Sequence, residues 1–180
     1  TPLAPGGTVA IDIDFTFAVP ENGSDRMGHD GDLYLLAQWY PRIAVFDDVN
    51  GWNTIPYLGQ GEFYLEYGDF DVELTVPATY LVGGTGALQN PAEVLTAEQR
   101  AALDRALASA DVVHVVTAAE LSDPASFRPT TQGDLTWKFR ADNVRDFAWG
   151  AGPRLVWDGT SSGNGLSTPV PSPSKRASVA

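Results

Sequence analysis

Three stretches of this chain alternate between apolar and polar residues. Val9, Ile11, Ile13, Phe15 and Phe17 fall on one side of the first, with Asp12, Asp14 and Thr16 on the other. Phe70, Val72, Leu74 and Val76 alternate with Asp71, Glu73 and Thr75, and Leu135, Trp137 and Phe139 with Thr136, Lys138 and Arg140. A period of two is the mark of a strand with one buried and one wet face. Shorter apolar or β-branched runs predict further strands at 33–38, 43–46, 80–82, 112–117, 144–149 and 154–157. Glu62 to Tyr67 and Phe70 to Val76 read as two strands joined by a tight Gly68-Asp69 turn, or as one long strand with a bulge there.

One helical pattern interrupts the strands, over about 96–110. Thr96 and Gln99 have the spacing of a capping box, Glu98 suits the first turn, and Leu103 and Leu107 share a face. Its polar remainder predicts an insertion lying on the surface. Residues 20–32 and 122–134 read as loops, and Gly83-Gly84-Thr85-Gly86 as a glycine turn, because no Lys-Ser or Lys-Thr follows to make a phosphate loop. Eight or nine short strands with no βαβ rhythm predict a mainly β chain, an antiparallel β-sandwich with one helical insertion, over residues 1–158. Gly, Ser, Thr and Pro dominate 159–180, which reads as a disordered tail or linker.

Composition narrows the chemistry. The net charge of −12 argues against a nucleic-acid surface, which needs clustered Lys and Arg. No apolar run reaches the ~20 residues that span a bilayer. The chain has no Cys, hence no disulfide framework or thiolate chemistry, and that fits either compartment. A periplasmic or secreted setting is the preferred expectation. His29 and His114 lie far apart and no His-Glu-x-x-His occurs, so no metal site is expected here. The Asp-rich run 25–32 does not match a calcium-binding loop. Among carboxylates, Glu62, Glu66, Asp69 and Asp71 are candidates for paired acid/base work on glycosidic or ester bonds, weighed against a solvated strand face. Trp52 and Tyr57 are candidates to hold a peptide or glycan.

A longer pattern adds to this. The run Gln38-Trp39-Tyr40-Pro41-Arg42-Ile43-Ala44-Val45-Phe46-Asp47-Asp48, with Gly51-Trp52, is followed by Gly61-Glu62-Phe63-Tyr64 and Tyr67-Gly68-Asp69-Phe70-Asp71-Val72. Thr75-Val76-Pro77, Thr85-Gly86, Leu88-Gln89-Asn90 and Asn143-Val144-Arg145-Asp146-Phe147-Ala148-Trp149 complete the set. Over roughly residues 8–158 the chain resembles the N-terminal β-sandwich domain of gluzincin-type zinc aminopeptidases, the membrane alanyl aminopeptidase and leukotriene hydrolase family, in its bacterial branch. The resemblance implies a non-catalytic scaffold and substrate-entrance domain. It implies a catalytic domain of the same or a related polypeptide as partner, and zinc held only there. It also implies a residue that grips the substrate's free amine, by position Asp32 or Gln38. A stand-alone hydrolase and a carbohydrate- or protein-binding sandwich are the alternatives.

Overall fold

The computed structural model describes residues 3–23, 25–56, 58–59, 63–123, 127–161 and 170–173. The chain is mainly β and its ladders are antiparallel, as the alternation predicts. The longest ladder joins β5 (Gly68–Pro77) to β9 (Asp134–Val144), where the alternation is strongest. Leu74 sits opposite Trp137, Val72 opposite Phe139 and Phe70 opposite Ala141, all facing inward. On the outer face Glu73 meets Lys138, Asp71 meets Arg140, and Thr75 shares a hydrogen bond of 2.8 Å with Thr136. Register thus turns the large apolar side chains of both strands toward the core while matching opposite charges outside; a one-residue slip would reverse both. The register shifts between Gly68 and Phe70. The two-strand hairpin expected around Gly68-Asp69 is therefore a bulge within one strand, and 63–67 lie outside the ladder.

β7 (Ala87–Leu88) covers the other edge of β9. A second sheet runs β1 (Met27–Asp30), β2 (Leu33–Leu36), β10 (Trp149–Gly152), β6 (Leu81–Gly84). Three sequence expectations fail here. Gly83 and Gly84, expected in a glycine turn, belong to β6 and pair with Gly150 and Trp149. The expected 20–32 loop contains β1, which returns into β2 through Gly31, whose φ of +54 is a left-handed turn conformation. The Gly150-Ala151-Gly152 stretch, expected to link two strands, is itself a strand between β2 and β6. A Cβ on Gly150 would lie 2.9 Å from the tip of the exposed Leu35 side chain, which would have to turn aside. A third sheet holds β8 (Val113–Val116), β11 (Leu155–Gly159) and β12 (Val170–Pro173), the last within the stretch read as a tail. β3 (Phe46–Asp47) and β4 (Gly51–Trp52) form a separate hairpin.

The strand expected at Thr8 to Phe17 does not form: those residues are exposed and enter no ladder among the described residues. Elsewhere the sheets and helices share one core, in which Phe127, Trp137, Phe147, Leu81, Val82 and Val116 are fully enclosed. The helical region comprises α1 (Pro91–Val94) and α2 (Ala97–Leu107), so it starts earlier and ends sooner than the periodicity indicates. The capping box at Thr96 and Gln99 is present. The helix is not a surface insertion, however. It buries Gln99, Ala102, Leu103 and Ala106 against the core, whereas Leu107 is exposed.

Gln99 is only 1% exposed. Its Oε1 accepts from the Thr96 N–H at 3.1 Å, and its Nε2 donates to the Phe127 carbonyl at 2.8 Å. One amide therefore closes the helix start and ties the 122–134 loop, with its buried Phe127, to the core. Gln99→Leu should lower unfolding free energy by about 2 kcal/mol, because it removes both bonds of a buried amide and leaves the Phe127 carbonyl only its 3.2 Å bond from Arg128 Nη1, while Thr96→Ala should cost about 1 kcal/mol. Urea unfolding of both variants checks the ranking; equal losses would mean Gln99 acts only as a cap.

Candidate functional site

β2 and β10 run antiparallel with Leu36 opposite Trp149. Continuing that register outward brings the chain leaving β2 alongside the chain entering β10. Residues 38–42 and 145–147, more than a hundred positions apart, meet there around one carboxylate. Asp146 accepts from the Gln38 backbone N–H at 2.9 Å, from the Tyr40 hydroxyl at 3.2 Å and from Arg42 Nη1 at 3.2 Å. Arg42 Nη2 donates to the Arg145 carbonyl, and Trp39 Nε1 donates to the Phe147 carbonyl at 3.0 Å. The site is half-buried, so these charge-assisted bonds count for more than exposed ion pairs do.

Aromatic rings surround this centre. Trp39 packs edge-on against Tyr40 and Trp149, and Tyr40 edge-on against Phe70, which lies near Phe147. The Arg42 guanidinium lies 5.1 Å from the Tyr40 ring centroid. The Tyr40 hydroxyl has its pKa pushed from 10.0 to about 12 by burial, with Arg42 opposing and Asp146 adding to the rise. A raised folded-state value means that unfolded chains lose this proton first. Stability from Tyr40 is therefore intact below pH 10.0 and falls as pH rises toward about 12. Tyr40→Phe should flatten that alkaline loss in chemical unfolding run at several pH values. An unchanged slope would mean Tyr40 is not its source.

Gln38, one of the two candidate amine-gripping residues, has φ of +53, an uncommon left-handed conformation for a side chain of this kind. Its Oε1 is buried with no hydrogen-bond partner among the described residues, so the contact it makes to Asp146 is through its backbone. Asp32, the other candidate, is exposed at the β1–β2 turn, beside Tyr80. Burial first, then Asp32 and Tyr34, push the Tyr80 hydroxyl above its ordinary pKa.

Of the candidate carboxylates, Asp69 and Asp71 lie on the outer face of β5. Asp69 and Asp71 both bind Arg140, which Asp142 also holds through Nε at 2.7 Å. The hydrogen bonds that Arg140 donates to Asp142 and Asp71 raise its pKa. Asp69 also accepts from the Asn143 N–H at 2.8 Å. These two carboxylates are committed to one guanidinium on an open sheet face. Glu66 is exposed; Glu62 and Tyr57 lie outside the described residues.

Trp52 is 60% exposed and packs edge-on against Phe46, 62% exposed, across the β3–β4 hairpin. The hairpin is stiffened from behind. Asp47 accepts from the Val49 and Asn50 N–H groups at 2.9 and 2.6 Å and from Asn53 Nδ2 at 2.8 Å. The Asn50 and Asn53 bonds hold the Asp47 carboxyl below its usual pKa. The two His residues sit in different sheets, each with its own neighbour. His29 stacks on Tyr34 and His114 Nδ1 lies 2.6 Å from Asp158. No three metal-capable side chains converge among the described residues.

No protein-family model matches the chain, and neither does any curated protein or solved structure. Function must therefore be argued from the residues. The convergence on Asp146 is the feature that sequence reasoning did not foresee. Its signal was present only as two separate segments, 38–42 and 143–149.

Proposed function

We propose that this chain is a non-catalytic β-domain of a gluzincin-type zinc aminopeptidase, serving as scaffold and substrate entrance for a catalytic module that holds the zinc. The observation that carries this reading is the meeting of two segments that bear the resemblance. Gln38–Arg42 and Arg145–Phe147 are tied to one another around Asp146. A scaffold role suits the chemistry at that point: the Asp146 carboxylate is spent on Gln38 N–H, Tyr40 and Arg42, and aromatic rings pack around it. A second support is the run of exposed large apolar residues Ile43, Phe46, Val49, Trp52, Ile55 and Leu58, of the kind that marks a protein–protein contact. In this reading Asp32, whose carboxylate is exposed, offers the charge that a peptide's free amine would seek. Gln38, past the other end of β2, shapes the backbone that meets Asp146.

The test is to extend the gene's reading frame beyond Ala180 and to assay both products on aminoacyl-nitroanilides. The expected result is a zinc-binding helix encoded downstream, hydrolysis by the extended polypeptide, and none by residues 1–180. Hydrolysis by residues 1–180 with stoichiometric bound zinc would overturn the reading, as would a downstream frame without such a helix.

A carbohydrate- or protein-binding module is the second reading, favoured by the stiffened Phe46–Trp52 pair. It requires that Trp52→Ala abolish binding on a glycan or peptide array while leaving the fold intact.

A further inference from the structure

Thr8 to Phe17 is patterned as a strand and used as none. The segment is rich in β-branched and aromatic residues and alternating, yet makes no backbone hydrogen bond to the rest of the described chain. Only its C-terminal end is anchored: Phe15 and Phe17 stack on one another, and Phe15 lies 6.3 Å from the Trp39 ring. Exposure of its apolar face rises steadily away from that anchor: Phe17 42%, Phe15 44%, Ile13 55%, Ile11 59%, Val9 67%. An alternating apolar segment of this length, with no backbone partner among the described residues, is a template for strand addition.

Charge decides what can be added. The outward row carries Asp12 and Asp14. Antiparallel pairing with a second copy centred on the segment sets Asp12 opposite Asp14, or an Asp opposite itself, and like charges directly opposite destabilise. The free edge of this chain's own β5 presents Asp69, Asp71 and Glu73, again like charges. The chain itself shows the complementary pattern. β9 offers Leu135, Trp137 and Phe139 inward and sets Lys138 and Arg140 against the acids of β5. We propose that Thr8–Phe17 is a docking strand that pairs with a partner protein's strand alternating large apolar residues with Lys or Arg. This proposal does not depend on the peptidase reading.

The test uses the 180-residue chain and a ten-residue peptide alternating Val or Ile with Lys or Arg. Amide exchange is followed by NMR and affinity by fluorescence anisotropy. Because successive amides of a strand point to opposite edges, one added strand should slow exchange at every second residue of 8–17. Asp12→Lys with Asp14→Lys should weaken the basic peptide about tenfold and let an acidic alternating peptide bind instead. Near-UV circular dichroism checks that the double variant keeps its fold. Failure of the basic peptide to protect 8–17 would overturn the proposal, as would binding indifferent to charge reversal. Protection of 8–17 in the peptide-free monomer would assign the segment to its own sheets, and protection that appears only with dimerisation would assign it to a second copy. Either result also overturns the proposal.

Discussion

Asp146→Ala is expected to lower the unfolding free energy by about 3 kcal/mol, since it deletes the acceptor of three donors and leaves the half-buried Arg42 without its carboxylate. For a domain of this size that corresponds to a fall in Tm of roughly 6–12 °C. Asp146→Asn keeps an oxygen for Tyr40 but gives up the charge, and should lose about half as much. The comparison with Arg42→Met separates two contributions. If most of the Asp146→Ala loss is the stranded guanidinium, the double variant should recover much of it. Trp39, which bonds the Phe147 carbonyl, provides a fluorescence probe of whether residues 38–42 detach before the core unfolds. A loss under about 0.5 kcal/mol for Asp146→Ala, within the range of ordinary surface substitutions, would show that this carboxylate does not hold the two segments together.

Gly86→Ala should cost about 4 kcal/mol, combining the left-handed backbone penalty with overpacking. Gly86 has φ of +88, and a Cβ there would lie 2.2 Å from the Arg140 carbonyl oxygen and 2.7 Å from the Ala141 Cβ. Neither obstacle is the tip of a flexible side chain. Both belong to β9 where β7 pairs with it, through Ala87 opposite Arg140, so relief requires separating those strands. Gly133→Ala is the control. Its φ is +72 but no atom lies near the added methyl, so it should pay the backbone penalty alone, about 1 kcal/mol. Thermal unfolding of the two variants reads the difference. Equal effects would mean that the β7–β9 approach at Gly86 yields easily.

Features governed by near neighbours in sequence were the ones that could be read in advance. The Thr96–Gln99 capping box needs only residues three apart, and it is present. The faces of β5 and β9 follow from the two-residue period, because one side of each faces the core. Where composition contradicted position, reading failed. Met27–Asp30 looked like loop because it is polar and glycine-rich, and Gly150–Gly152 looked like a linker because its residues are small. Both are strands, since a neighbouring strand supplies hydrogen bonds that no local propensity records. The turn at Gly68-Asp69 was ambiguous for a related reason: a bulge and a hairpin use the same residues and differ in which strand lies alongside.

The candidate site divides in the same way. The segments 38–42 and 143–149 could be singled out from sequence, and so could the carboxylates of β5. That Asp69 and Asp71 share Arg140, and that Asp146 gathers Gln38, Tyr40 and Arg42, depended on which residues the ladders bring alongside. The order of residues by itself determined a mainly β chain, the inward and outward faces of its longest strands and the start of its helix, because each rests on periodicity or on contacts within a turn. The tertiary structure alone decided strand partners, register and the pairing of charges, because a backbone hydrogen bond between strands carries no trace of its partner's identity in either strand.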